Sequence, residues 1–294
     1  MTTVSLTYYH DSKNYGNFGD ELSPFIIEKL LSSEYQLLLN APESDHSLLG
    51  IGSIIHLSKE NDYVFGSGLG VLEPESLPHL NICAVRGPLT RETLGHYDID
   101  CPEVYGDAAL LLPKFYTPTY CEGLSTKIGF VPHFNYYDTY ASLELPENFH
   151  LIDPTMEWRQ VIDEITSCQA IVSQSLHGLI CADAYHIPNI RFAENFWFCN
   201  MCHSLSTQSA LNLDETFNLS TSGDERPACD CGWKYNCWGN NLLHHNGDFK
   251  FQDYFMSQGR KSIFITTLDS YDETLLYTDG NQIDLDLLIS VFPF

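Results

Sequence analysis

Two stretches of the sequence place reactive side chains where a strand gives way to a helix. In IVSQSLHGLICADAYHIPNI, residues 171–190, an apolar run meets two serines, Ser173 and Ser175, and His177 follows. If either serine caps the helix, His177 falls in its first turn, where the helix dipole disfavours the imidazolium and favours a bound anion. Such a histidine is either a packed residue or a proton carrier, and its neighbours must decide. In AVRGPLTRETLG, residues 84–95, Arg86 ends a strand and Pro88 stands at an early helical position. An arginine there offers a planar fork to a carboxylate or phosphate. Its other reading is a salt bridge.

The elements that must hold these residues follow one theme. Short apolar or β-branched runs meet glycine-rich turns and then helix-like stretches: TVSLTYY before GNFGDELSPFIIEKLL, SLLGIG before SIIHLS, then DYVFGSGLG and ICAVRG. That alternation predicts an α/β fold with parallel sheets, whose ligands bind outside the carboxyl ends of the strands near helix N-termini. Gly68, in GSGLG, is a candidate for close backbone approach to a ligand. The stretch PKFYTPTYCEGLSTK, residues 113–127, carries two prolines and a glycine and sets a domain boundary. Residues 1–118 then form one domain and 119–294 a second. In the second, KIGFVPHF, FHLID, QAIVSQ and PNIRF read as strands, and EWRQVIDEITSC and SLHGLICADAYH as helices. The amphipathic DFKFQDYFMSQG follows, and the tail IDLDLLISVFPF has helical spacing and is expected to pack back onto the body.

Composition excludes several classes of function. The chain has 39 acidic and 14 basic residues among 294, a formal charge of -25, which repels nucleic acid and anionic membranes. Any anion site must therefore be local. No apolar run reaches membrane-spanning length and no signal-peptide pattern opens the chain, so the expectation is a cytoplasmic protein without a membrane span.

Five motifs occur in a set order: NFGDELSPFIIEKL (17–30), GSGLG (66–70), AVRGPLTRETL (84–94), YGDAALLLP (105–113) and SQSLHGLICADAYHIP (173–188). Together they resemble the polysaccharide pyruvyl transferase family, and within it the exopolysaccharide-type bacterial members. The resemblance covers most of residues 3–192 and resumes at NGDFKFQDYFMSQGRKS. It implies two Rossmann-like domains facing across a cleft, similar to B-type glycosyltransferases. It also implies transfer of pyruvate from phosphoenolpyruvate to a sugar as a ketal, with no further cofactor required. The acceptor would be a saccharide, with lipid-linked oligosaccharides among the options. By motif, the resemblance carries catalytic roles to His177 and Arg86 and donor binding to Lys250. Ser175, Asp20 and Gly68 complete the expected substrate-binding set, with Asp20 and Asp107 equally open to helix capping.

Residues 193–240 depart from the family pattern. Cys199 and Cys202 have the spacing of half a zinc knuckle, and Cys229, Cys231 and Cys237 could supply the rest; free thiols in a loop are the competing reading. No metal is assigned to the active site. Two other functions compete on the same fold, a nucleotide-sugar glycosyltransferase and a catalytically inactive carbohydrate-binding relative. Against the first, no pair of glutamates eight positions apart follows His177.

Overall fold

A computed structural model describes residues 1–10, 16–70, 74–193, 196–198, 205–207 and 248–294. Five strands, β1 (Thr2–Thr7), β2 (Tyr35–Leu39), β3 (His46–Leu49), β4 (Tyr63–Ser67) and β5 (Asn81–Val85), form a sheet in the order β2-β1-β3-β4-β5. All four pairings are parallel. Helix α1 (Phe18–Leu30) connects β1 to β2, and α2 (Pro88–Gly95) follows β5 with Pro88 as its first residue. Between α2 and the next sheet, Ala108–Lys114 forms a 3-10 helix capped by Asp107.

The second half repeats the first. Strands β6 (Ile128–Val131), β7 (Phe149–Leu151), β8 (Ala170–Ser173) and β9 (Asn189–Phe192) are connected through α3 (Tyr137–Ala141), α4 (Trp158–Ser167) and α5 (Leu176–Ala184). A short hairpin, β10 (Phe196–Phe198) with β11 (Leu205–Thr207), comes next, then α6 (Asp248–Ser257), β12 (Phe264–Ile265) and α7 (Leu285–Ser290). The sheet order is β12-β9-β8-β6-β7, again all parallel. Counted from its own first strand, each sheet runs 2-1-3-4-5. Each therefore has a topological switch point beside its first strand, where the connections leave in opposite directions and a crevice opens at the carboxyl edge.

The two halves are joined by a shared apolar core. Helix α1 buries Phe18, Leu22 and Ile26, a stripe at four-residue spacing, while α4 buries Val161, Ile162 and Ile165. Phe25 meets Trp158 with ring centroids 4.7 Å apart, and the Arg159 guanidinium lies 4.1 Å from the Trp158 ring. The 3-10 helix contributes Ala108 to Leu112, all fully buried, to the same cluster as Leu176 and Leu179 of α5. This aliphatic run is a tight plug between α1 and α5.

The chain's last stretch crosses between the sheets. Helix α6 packs on α2, β12 returns to the edge of the second sheet, and the tail comes back to the first. Phe294 packs against Tyr35, His46 and Tyr63 at 4.9–5.3 Å, and Phe292 against Phe65 at 5.1 Å. The tail thus packs on the body as its spacing predicts, and on the sheet most distant in sequence. Asp183 of α5 anchors the crossing: its carboxylate accepts from Tyr254 Oη at 2.7 Å, Asn189 Nδ2 at 2.6 Å and Arg260 Nη1 at 3.0 Å, all buried. Among the described residues no helix is long and apolar enough to cross a membrane. Cys199, Cys202, Cys229, Cys231 and Cys237, the zinc candidates, lie outside the described residues.

Candidate active site

Both switch points present chemistry. After β8, the Ser173 side chain accepts from the Ser175 amide, and Ser175 caps α5 by accepting from the Gly178 amide at 3.4 Å. Ser175 is the N-cap, and His177 is the second helical residue, in the first turn as the serine pattern predicts. Its imidazole is buried and its Nδ1 edge lies over Gly19, where a Cβ would come within 2.0 Å of Nδ1. Gly19 is the second residue of α1, from the other half, so the glycine is the gap through which the two switch points meet.

His177 Nε2 lies 3.9 Å from Asp107 Oδ2, and among the described residues neither atom has a hydrogen-bond partner. Asp107 Oδ1 accepts from the Ala109 amide at 3.0 Å, so the capping role open in the sequence is filled by one oxygen and leaves the other aimed at the ring. Burial, with help from Lys250 and Arg86, pulls the His177 pKa down to about 3, and burial lifts Asp107 to about 6 against the pull of the Ala109 amide and Arg86. Near neutrality the imidazole is uncharged and the carboxylate ionised.

Asp20, in the first turn of α1, accepts from Asn17 Nδ2 at 2.7 Å while Asn17 caps the helix. Burial raises Asp20 to about 7, with Lys250 opposing and Asp107 adding to the shift. Lys250, half-buried on α6, is within electrostatic reach of Asp20, Arg86, His177 and Arg191. Desolvation first, then Arg86, holds its pKa near 8 against the attraction of Asp20. The structure thus brings Lys250, the most distant candidate in sequence, to the same place as His177 and Asp20.

Arg86 leaves the end of β5 fully buried. Its Nη1 donates to Ser53 Oγ at 2.6 Å, its Nη2 to the Leu69 carbonyl at 2.8 Å, and its Nε lies 3.5 Å from Asp253 Oδ2. Asp253 accepts from both the amide and the hydroxyl of Thr90, at 2.9 and 2.6 Å. The ion pair ties α6 to the end of β5 and the Thr90 bonds tie it to α2, so Arg86 is a fixed positive charge held behind the site. Gly68 has a definite reason to lack a side chain, because a Cβ there would stand 2.3 Å from Arg86 Nη2. Gly68→Ala is expected to displace the guanidinium and lower stability by ~1–3 kcal/mol, the scale of overpacking a tight interior. A urea midpoint equal to that of the unmodified protein would contradict this.

The sequence reading missed His133. It follows β6 at the second switch point, and its Nδ1 accepts from the Asn135 amide at 3.3 Å, capping a short 3-10 turn. With Nδ1 used as an acceptor, the neutral ring carries its proton on Nε2. Burial and the nearby Lys250 lower its pKa to about 3. The signal was present in VPHF, a polar ring directly after an apolar strand, but only the strand order shows that this strand flanks a switch point. Among the described residues no three His, Cys, Asp or Glu side chains gather as a metal site.

The arrangement has the chemistry to hold an anion beside a proton carrier. Lys250 and the first turns of α1 and α5 offer positive charge and helix N-termini, Arg86 adds its charge from behind, and neutral His177 is the group able to accept a proton. The family model for polysaccharide pyruvyl transferase matches residues 63–195. The chain is 32% identical over 196 residues to the succinoglycan biosynthesis protein ExoV of Rhizobium meliloti (strain 1021), and 26% identical over 190 residues to the uncharacterized protein L143 of Acanthamoeba polyphaga mimivirus. Each match takes in 62% of this chain, which spans 57% of the first relative and 65% of the second. No solved structure matches the chain. The matched segment holds Arg86, Asp107, His133 and His177, and over it this chain is similar to the polysaccharide pyruvyl transferase family.

Proposed function

We propose that this protein transfers pyruvate from phosphoenolpyruvate to two hydroxyls of a saccharide, forming a ketal and releasing phosphate. The observation that carries the reading is the convergence of Lys250, Arg86 and two helix N-termini on neutral His177, in a chain whose residues 63–195 match the polysaccharide pyruvyl transferase model. Phosphoenolpyruvate bears a phosphate and a carboxylate on one carbon, and a protein with a formal charge of -25 needs such a local cationic pocket to hold it. The paired parallel sheets meeting at their carboxyl edges support the further likeness to B-type glycosyltransferases.

The balance of the reaction assigns the work. One hydroxyl oxygen bonds to C2 and its proton goes to C3, making the methyl group. The second oxygen displaces phosphate from C2, and the second proton leaves on the phosphate. His177 carries a proton in this sequence, Lys250 holds donor anion oxygens with Arg86 reinforcing them by charge, and Asp20 orients an acceptor hydroxyl. Ser175 and Gly68 shape the pocket through the α5 cap and the space left for Arg86. The Rhizobium relative is a succinoglycan biosynthesis protein, which points to a polysaccharide precursor as acceptor here, free or lipid-linked. We place the enzyme in the cytoplasm, in keeping with five free thiols among the described residues.

Incubation with phosphoenolpyruvate and a panel of galactosides, glucosides and mannosides tests the reading. Phosphate release matched by a product heavier by pyruvate less water is the expected result. Release from a nucleotide sugar instead would assign the fold to glycosyl transfer.

The lysine sets a pH dependence. A bound anion raises the pKa of Lys250 from about 8, so donor affinity is full below that value and declines as pH rises through it. The dissociation constant for phosphoenolpyruvate, measured by calorimetry, is expected to rise several-fold between pH 7 and 9.5, and Lys250→Gln should bind weakly with a flat profile over that range. A wild-type profile flat to pH 9.5 would take Lys250 out of the donor site.

A further inference from the structure

Two unsatisfied atoms face each other in the site, and burial makes that costly. Asp107 Oδ2 and His177 Nε2 are both enclosed, 3.9 Å apart, with no hydrogen-bond partner among the described residues. Asp107 cannot turn away, since its Oδ1 is committed to the Ala109 amide. The backbone on either side is equally constrained. Gly106 has φ +140, and Gly66, with φ +78, sits so close that a Cβ there would meet Ala108 N at 2.8 Å and Gly106 O at 2.9 Å. The carboxylate is thus locked by its cap and its turn. Approach by roughly 1 Å makes Nε2–H to Oδ2 a hydrogen bond, and catalytic contacts commonly tighten by that much when substrate binds.

We propose that Asp107 is the positioning residue for His177: it accepts the Nε2 proton and thereby leaves Nδ1 as the basic nitrogen that exchanges a proton with substrate. The inference rests on the pyruvyl transfer reading for its role, though the couple itself does not. The Nδ1 edge lies over Gly19 in the first turn of α1, so an anion held at that helix N-terminus sits beside the working nitrogen. When His177 takes a proton, the ionised Asp107 stabilises the imidazolium that burial otherwise disfavours.

The surrounding charges permit this state. Asp107 is faced by Arg86 from β5, Asp20 from α1, Cys181 from α5 and Tyr254 from α6; Lys250 and Arg86 act on His177. Arg86 favours the ionised carboxylate and Asp20 opposes it. With Asp107 near 6, the couple is intact above that pH; below it a protonated Asp107 donates to Nε2 and moves the ring proton to Nδ1.

Asp107→Asn tests the proposal, because asparagine keeps an oxygen for the Ala109 amide while an NH2 replaces the oxygen facing the ring. Nitrogen-15 NMR of histidine-labelled full-length protein, with His177 assigned by comparison with His177→Gln, reads the tautomer directly. The wild type is expected to carry its proton on Nε2 and the Asn variant on Nδ1. Turnover should fall on the order of a hundredfold or more with little change in donor affinity, the wild-type rate should drop as pH falls through about 6, and Asp107→Glu should recover part of the loss. A wild-type ring protonated on Nδ1, or an Asn variant with an unchanged tautomer, would overturn the proposal even if activity fell. If the tautomers behave as stated while no saccharide accepts pyruvate, the couple stands and the pyruvyl transfer reading fails.

Discussion

His177→Gln is expected to give a folded protein that binds phosphoenolpyruvate and turns it over on the order of a hundredfold or more slowly. The reasoning is local. Glutamine can place an amide near Asp107 Oδ2, so the buried carboxylate keeps a donor, but it cannot accept and release a proton at neutral pH. Gly19 leaves room for the side chain, and the Ser175 cap of α5 is independent of it. Melting temperature, donor affinity and turnover measured on this variant separate the roles. A loss of stability with unchanged turnover per folded molecule would make the histidine a packing residue.

Arg86→Met is expected to produce the largest loss of stability, ~3–5 kcal/mol, because it strands Asp253 and Asp107 as buried carboxylates without their cation. The Arg86→Met, Asp253→Asn double variant should lose less than the sum of the two single changes, since each single change already breaks the pair. Urea unfolding of the four proteins measures this. Additive losses would mean that the two side chains do not act together. Arg86→Lys should fall between, because one ammonium cannot reach Ser53, the Leu69 carbonyl and Asp253 at once. A change of activity at Arg86 must therefore be read beside the stability of the same variant.

These two residues show what a linear pattern reveals. Strand ends followed by helix starts locate Arg86 and His177, since a turn, a proline and a serine cap are local features. The α/β alternation likewise predicts nearly every parallel strand. SIIHLS reads as helix-like, yet only Ile55–Leu57 makes a 3-10 turn, and ALLL forms a 3-10 helix because packing between α1 and α5 decides its shape. What escapes the sequence is pairing across distance. Nothing in VRGP tells that Arg86 will meet Asp253, and nothing in VPHF tells that His133 will flank a switch point. Both depend on which strands become neighbours.

The contact between Thr90 and Asp253 bridges 163 positions of chain. A contact of such sequence separation forms only after the intervening loop has been closed, an entropic cost that local contacts do not share. The first sheet takes all five of its strands and the second four of its five from residues 1–193, so most of the scaffold can assemble before α6 leaves the ribosome. Lys250 and Asp253 reach the pocket only when α6 docks on α2. During synthesis, then, a nearly complete scaffold precedes a complete site, and Arg86 waits in it with Asp107 nearby but without its Asp253 partner.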